Sequence, residues 1–544
     1  MKLRSYFFGA LACLALASCS SDDDAVASGE EFDPSKTHYV AINIVNPTET
    51  RAEGGDFVNG SDAENYIQKA TLVFYDNSGN YITHVSTGHK GENFNEWQTD
   101  PSEETTPAVE KITKAVCVLK DLDTEPSYVL AVLNTDIPDD KYITKGDAKA
   151  NLTSLKAHLG KNGYGSHSSG EFVMTNSVYK DGGNNKCEVA LTSDNIQTAE
   201  AQALLNPVVI YVERVLARVD LRYANGGFSV TPTTENVGIA QTPTEITPVI
   251  KGYGLVATNP DSYLFKNLGT TTWSWTEWSS PINYRSYWAV SARPEGSAPG
   301  FGFNYSSWED IEDANDALPE FGETAIKTYC HENTNNGTDE TGFSFSALGA
   351  APQQATTLVV AAELQAGGTA IDLIKYAGAY YTKSDYFIVI EDYLNNKGYK
   401  YLNAGTPAND WRNVLEVVQT GTSGNKAYKV EPAIKDGTAF EPGIEAAVNT
   451  ALEGLGEAWY WNQGKAYYFV TIEHFGTPDC LYGVVRNHIY DITIKGVTGL
   501  GTPVADPEED IIPEKPAEDE ESHVAAQIKV LKWKIVRQHD VVLQ

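Results

Sequence analysis

The residue best placed to do chemistry is Cys19. It closes the run Leu16-Ala17-Ser18-Cys19, in which two small residues precede a thiol. Lys2 and Arg4 lie upstream, followed by a short apolar stretch from Tyr6 to Ala17. This is the layout of a secretory signal, too short to span a bilayer stably. The small side chains fit a signal peptidase cleft, and the Cys19 thiol would take a diacylglyceryl group, so the run reads as a lipobox. An ordinary signal peptide that happens to contain Cys is the competing reading. A second reactive point is the peptide bond between Arg51 and Ala52. Arg51 is the single basic residue in the polar stretch Thr48 to Gly55, which reads as an exposed loop. Such loops are the usual sites of proteolytic nicking, although an Arg in a loop is by itself only a solvated side chain.

Other chemistry is not supported. The sequence holds no Walker motif, no strand followed by GxGxxG, no HExxH and no CxxC pair. Gly163 to Gly170 contains Ser and His but lacks the spacing of a nucleophile elbow. His331-Glu332 and Glu473-His474 are adjacent pairs, and neighbours on a strand point to opposite faces, so neither pair can chelate one ion. Nothing singles out a glycosidase pair among the 73 Asp and Glu residues. Trp273, Trp275 and Trp278 read either as a sugar-stacking platform or as a half-buried hairpin. Cys117 and Cys187, and Cys330 and Cys480, are placed for two intradomain disulfides or for buried free thiols. No catalytic residue, metal or cofactor is expected, and the chain does not read as an enzyme.

Composition narrows the partners. The 544 residues carry 40 Lys and Arg against 73 Asp and Glu, a formal charge of −33. Nucleic-acid affinity rests on Lys and Arg displacing counterions, so this chain is an unlikely nucleic-acid binder. Anionic membrane surfaces should repel it. The charge suits a secreted or surface-exposed body. Tyr (30) and Gly (45) against 2 Met favour strands and turns. No apolar run approaches the roughly 20 residues of a membrane helix.

The elements that must position Cys19 and Arg51 follow. Residues 20–36 are a polar, acidic tether that opens Ser20 to Asp24 (SSDDD). Tyr39 to Val45 alternates, with Val40, Ile42 and Ile44 on one face of a half-buried strand, and Asn46-Pro47 ends it. At the other end, residues 501–523 form a Pro-, Asp- and Glu-rich linker without apolar periodicity. Residues 524–544 read as one long β-segment. Val524, Ala526, Ile528 and Val530 share a face, and the phase then shifts to Leu531, Trp533 and Ile535, which implies a bulge between two half-strands. A lone strand must pair in some sheet. It either returns to its own domain or is donated to another molecule.

Between the ends, short strand signals dominate. Ala70 to Tyr75, a turn at Asp76 to Asn80, and Tyr81 to Thr83 form a hairpin signature. Further strands are expected at 114–119, 128–133, 172–175, 187–191 and, as one long strand, 208–221. Helices are expected at 151–159 and 198–205. A second set is expected at 249–255, 262–265, 286–290, 356–364, 386–390, 466–473 and 484–494, with long loops near 266–350 and 395–460. The reading is all-β, with one β-sandwich in 52–230 and a second in 231–500.

Three motifs carry a family resemblance. Val484-Val485-Arg486-Asn487-His488-Ile489-Tyr490, the acidic linker and the terminal Val530-Leu531-Lys532-Trp533-Lys534 together resemble the fimbrillins that build type V pili in Bacteroidales. The likeness is greatest to shaft subunits of the minor (short) fimbriae of Porphyromonas. Val212 to Asp220 resembles the strand that closes the family's first domain, and Tyr329 to Thr334 resembles a loop of its second. The resemblance implies two transthyretin-like β-sandwiches in tandem. It implies export as a lipoprotein to the outer membrane through Cys19, with signal peptide 1–18 and pro-segment 19–51. An Arg-specific protease would cut after Arg51, leaving Ala52 as the new N-terminus. Removing Val40, Ile42 and Ile44 would open a groove, which Ile528, Val530, Leu531, Trp533 and Ile535 of another copy would fill. The implied partners are copies of the chain in a head-to-tail filament, anchor and tip subunits, the protease, and host or bacterial surface receptors. An anchor would keep its lipid and a tip would lack the donor strand, so a chain with both Arg51 and that strand reads as a shaft subunit supporting adhesion and biofilm formation. The competing reading is a surface glycan-binding lipoprotein of a polysaccharide-uptake system.

Overall fold

The computed structural model describes residues 32–47, 61–88, 109–135, 172–181, 184–223, 229–268, 279–280, 285–292, 302–316, 326–334, 354–420, 429–474, 483–513, 523–532 and 535–537. Over these residues the chain is all-β with a few short helices. The expected helix at 151–159, the loop at 163–170 and the cluster Trp273, Trp275 and Trp278 lie outside them.

The first sheet is built from β1 (His38–Pro47), β2 (Lys69–Tyr75), β3 (Tyr81–Gly88), β4 (Val109–Leu119), β5 (Tyr128–Leu133), β6 (Met174–Asn176) and β7 (Val208–Arg214). Their order is β3-β2-β5-β6-β7-β1-β4. The hairpin β2–β3 forms as its turn residues predict, with Asp76 accepting from the Ser78 and Asn80 backbones at 2.8 Å. β7 serves two neighbours. Val208 to Tyr211 pair with β1, and Val212 to Arg214 pair with β6. The sheet therefore curls, and Val40, Ile42 and Ile44 of β1 share one core with Leu72 and Phe74 of β2. Two short helices attach here, α1 (Asp62–Asn65) and α2 (Glu200–Ala203).

The second sheet runs β10 (Ile326–His331), β8 (Leu216–Tyr223), β13 (His488–Thr498), β14 (His523–Lys532) and β15 (Ile535–Arg537). It faces a third, larger sheet centred on β9 (Thr242–Val256), β11 (Thr357–Ala366) and β12 (Lys465–Thr471). Period-two alternation divides the residues of that third sheet between two cores. Leu358, Val360, Tyr468 and Val470 pack against Val219 and Tyr490 of the second sheet. Val359, Ala361, Tyr467 and Phe469 turn the other way, onto Trp308 and Ile311 of α3 (Trp308–Asp316).

Several expectations change. The segment 208–221 is not one strand. It breaks at Val215, whose N–H donates to the Val173 carbonyl at 2.9 Å, and its halves β7 and β8 lie in different sheets. The stretch 262–265 forms no strand, although Tyr263, Leu264 and Phe265 are buried, because the Tyr263 and Leu264 carbonyls are taken by a guanidinium. The stretch 187–191 is interrupted where the Cys187 carbonyl accepts from Asn176 at 2.6 Å. Of 286–290, only Ser286 lies in a strand (Arg285–Ser286). The expected helix at 198–205 shrinks to α2. The terminal segment is a hairpin, because β15 folds back with Ile535 opposite Leu531. The register shift that the sequence placed at 530–531 falls on β13 instead, between Ile494 and Gly496.

The largest change concerns residues 383–461. The expected strand 386–390 is part of helix α4 (Lys383–Asn396). Tyr386, Phe387, Ile388 and Val389 have strand-like propensity, but Tyr386, Ile390 and Leu394 recur every four residues and are all buried. Thr382 caps the helix, its hydroxyl accepting from the Asp385 N–H at 3.1 Å. The expected loop 395–460 contains short strands and helix α5 (Ile444–Glu453), and it closes over its own core around Ile390, Trp411, Val448 and Tyr460. Ile390→Ala should therefore destabilise the protein by about 2–5 kcal/mol. Val418→Ala, at a side chain 41% exposed, should change stability by no more than about 0.5 kcal/mol. Urea unfolding midpoints of the two variants check this.

Candidate functional site: the first-strand slot and its junction

β1 is paired on both edges over Ile42–Val45, and at Tyr39 its second edge is closed by a bridge to Gln197. On one side it pairs antiparallel with β4, with Val40 opposite Cys117, Ile42 opposite Ala115 and Ile44 opposite Thr113. On the other it pairs parallel with β7, with Ile42 opposite Val208 and Ile44 opposite Ile210. Its inner face is sealed, with Val40 and Ile42 at 0% exposure and Ile44 at 2%. Its outer face is roofed in part. Ala41 packs with Val116 beneath Ala203 of α2. The Tyr39 N–H donates to the Gln197 carbonyl at 2.7 Å, and the Gln197 N–H donates back to Tyr39 at 3.0 Å. Cys117, Cys187 and Cys330 are buried, Cys117 and Cys330 are free thiols, and burial raises the Cys117 thiol far above its ordinary value. Cys480 lies outside the described residues.

The sequence places Cys19, Arg51 and Ala52 upstream and downstream of this strand, and all three lie outside the described residues, as does Trp533. Ile528, Val530 and Leu531 lie on β14 and Ile535 on β15. β14 pairs along its length with β13, from His523 opposite Thr498 to Lys532 opposite His488. Within one molecule the terminal strand thus returns to its own second sheet, flanked by β13 and by three residues of β15. The slot strand and the terminal strand sit in different sheets.

A buried polar junction joins those sheets, and it is built from the motifs that carry the family resemblance. Arg214, at 0% exposure, ends β7. It donates to the Glu64 carbonyl at 2.8 Å, to the Asn487 side chain at 3.3 Å and to the Asn65 side chain. Asn487 holds a left-handed turn (φ 57°) just before β13, and its N–H donates to the Leu216 carbonyl at 2.9 Å. Arg486, also fully buried, donates to the carbonyls of Leu264 (2.9 Å) and Tyr263 (2.6 Å) and pairs with Glu332 at 2.9 Å. Lys266 pairs with Glu213 at 2.7 Å. Sequence reasoning named none of these as interior residues, because Arg, Lys and Glu are rarely buried unless paired.

Glu64 is the hub on the first-sheet side. Its carboxylate accepts from Arg218 at 2.7 Å, from the Tyr329 hydroxyl at 2.9 Å and from the Ser61 N–H at 2.6 Å, completing a capping box on α1. Burial acts to raise this carboxyl. The Arg218 charge, the Ser61 N–H and the Tyr329 hydroxyl outweigh burial and hold it at about 2 against an ordinary 4.5. Asp220, clamped by Arg218 through two 2.7 Å bonds, is nevertheless raised, by burial first, with Asp491 adding to the shift. Among the described residues no three His, Cys, Asp or Glu side chains could hold a metal ion together. His331 and Glu332 fall where the alternation places them, apart, with His331 bonded to the Asn259 carbonyl and Glu332 to Arg486. His474 is held by the Tyr490 hydroxyl and the Tyr287 carbonyl.

Comparison with known proteins bears on this region. Residues 459–539 match the family model described as "Major fimbrial subunit protein type IV, Fimbrillin, C-terminal". The match contains both the Val484 to Tyr490 motif and the Val530 to Lys534 motif, so the fimbrillin resemblance holds over the C-terminal strands. Among solved structures, the chain is similar to a candidate cell adhesion protein from Bacteroides eggerthii (10% identity, 91% of this chain and 96% of the other, TM-score 0.36). It is similar also to the tip fimbrial protein Mfa3 from Porphyromonas gingivalis, solved with a C-terminal truncation (11% identity, 90% and 99%, TM-score 0.29). A fimbrial assembly protein from Parabacteroides distasonis is a third (14% identity, 60% and 82%, TM-score 0.25). No curated protein matches the chain.

Because Glu64 is held below its ordinary value, it adds stability above pH 4.5, and that stability is lost as pH falls from 4.5 toward about 2. Glu64→Gln should flatten the dependence of the urea midpoint on pH across that window. An unchanged slope would mean that Glu64 is not the acid-sensitive fastening of the junction.

Proposed function

We propose that this chain is a structural shaft subunit of a type V surface fimbria, assembled by exchange of its first strand. In this reading Cys19 carries the lipid that brings the precursor to the outer membrane, and an Arg-specific protease cuts between Arg51 and Ala52. β1 then leaves with the pro-segment, and the C-terminal strand of a second copy takes its place. The two successive β-regions are transthyretin-like sandwiches, 19–51 is the removed segment, and 501–523 links the second region to the donated strand. The first part of that link is not a solvated linker, since Thr502–Pro503 pair with β12 and Val504 and Ile511 are buried beside Trp308. Its partners are copies of itself, anchor and tip subunits, the protease and surface receptors. Its role is adhesion, with no catalytic step.

The observation that carries the reading is the position of β1. Val40, Ile42 and Ile44 fill the core, and β1 lies between β4 and β7, four residues before Arg51. Burying each of those side chains contributes roughly 1.5–3 kcal/mol. Removing them uncovers apolar core and two unpaired strand edges, which template pairing with another chain. The fimbrillin match at 459–539 supports the same reading, because it covers β14 and β15. In one molecule β14 has β13 on one side and only a three-residue hairpin partner on the other. In the slot it would have β4 and β7 on its two sides, so exchange keeps a backbone partner on both edges. Head-to-tail donation does not close on itself and propagates as a filament.

The test is to treat purified mature protein with an Arg-specific protease, sequence the new N-terminus and run the product unboiled on a denaturing gel. The expected result is an N-terminus at Ala52 and an SDS-resistant ladder. Arg51→Ala and a truncation before Val524 should each abolish the ladder. Resistance at Arg51, or a cut product that stays monomeric, would overturn strand exchange and favour an anchor-like or glycan-binding lipoprotein.

A further inference from the structure

The slot is more selective than its apolar inner face suggests, and its geometry points to one register for the incoming strand. We infer that Val524-Ala525-Ala526-Gln527-Ile528 of a second copy takes the places of Val40-Ala41-Ile42-Asn43-Ile44, in the same chain direction. This inference rests on the strand-exchange reading above and specifies its partner segment.

The first constraint is the inner face. Positions 40, 42 and 44 are sealed in the core, so the incoming strand must be apolar at three alternate residues. The second constraint is the outer face at position 41. Ala41 lies at 1% exposure between Val116 and Ala203, so only a small side chain fits there. Position 43 is half-buried and holds Asn, which admits a polar residue. The required order is apolar, small, apolar, polar, apolar.

From His523 onward the sequence offers only two small residues, Ala525 and Ala526. Placing Ala526 at position 41 sends Gln527 into the sealed core, at position 42 or, with the strand reversed, at position 40. Placing Ala525 there with the strand reversed sends Ser522 to position 44. Only Ala525 at position 41 in the forward direction satisfies every site. It sets Val524 on Val40, Gln527 on Asn43 and Ile528 on Ile44. The forward direction also keeps the parallel ladder with β7 and the antiparallel ladder with β4 that β1 makes. Registers that seat Ile528 or Leu531 at position 40 set Lys529 or Lys532 against Ala203. In the favoured register the side chain at position 42 is Ala526 where β1 has Ile42, so that part of the core is under-filled. Val530 and Leu531 reach the positions of Asn46 and Pro47, and Trp533 and Ile535 run past the end of β1.

The protein carries its own reporter. Cys117 is a buried free thiol directly opposite Val40 on β4. Directly opposed residues on antiparallel strands lie within disulfide range. Mature protein carrying Val524→Cys should be cut with the Arg-specific protease, oxidised, and run on a denaturing gel after boiling without reductant. Ile528→Cys, Val530→Cys and Leu531→Cys serve as comparisons. The inference predicts a covalent ladder from Val524→Cys alone, collapsed by reductant and abolished by Cys117→Ser. It also predicts that Ala526→Ile raises the temperature at which the unboiled wild-type ladder dissolves. A ladder that forms but cross-links from another position, or from none, would overturn the register while leaving strand exchange standing. No ladder in any cut variant before boiling would overturn strand exchange, and the register with it.

Discussion

A strand in the interior of a sheet must be paired along both edges, and that constraint governs this molecule. β1 satisfies it through β4 and β7 while filling the first core with Val40, Ile42 and Ile44. Backbone groups left unpaired in an apolar interior are costly. The first sheet is therefore complete with β1 or with an equivalent strand, and it is poorly stable with neither. In the proposed assembly that equivalent strand is the one at the chain's other end, which in the single molecule lies in another sheet. On that proposal the uncut chain is a closed form of the subunit.

The junction ties the first sheet to the second independently of β1. β7, the parallel neighbour of β1, passes straight into β8 of the second sheet at Val215. Arg214 and Asn487 fasten that crossing, and Arg486 and Lys266 fasten the loops beside it. Buried ion pairs of this kind contribute little net stability against an apolar replacement, but losing one partner strands the other and costs about 3–5 kcal/mol. Their value here is geometric. They fix the wall of the slot to the strand that carries β14.

Much of the β-architecture was legible because alternation is a local signal. Val40, Ile42 and Ile44, the hairpin at 70–83 and the strands at 114–119 and 128–133 all follow it. The changeover at Val215 left a trace that the one-strand reading passed over: the apolar row runs Val208, Ile210, Val212 and then changes phase to Val215, Ala217, Val219 and Leu221, where the two halves join different sheets. Helix α4 was hidden by the aromatic and β-branched residues Tyr386 to Ile390, whose packing every fourth residue overrides their strand propensity. The motif at 484–490 was recognisable as a family signature, but nothing in Arg486 or Asn487 announced burial. Those side chains are interior only because partners from residues 214, 263–264 and 332, distant in sequence, converge on them.

In the proposed assembly β1 is a replaceable strand whose removal opens β4 and β7. Amide hydrogen exchange tests it most directly, using protein truncated before Val524 and cut at Arg51 so that no donor is present. Amides of Val109–Leu119 and Val208–Tyr211 should lose protection when β1 departs. A peptide spanning 523–532 should restore that protection. Undiminished protection after β1 has gone, or loss that the peptide does not reverse, would contradict strand replacement.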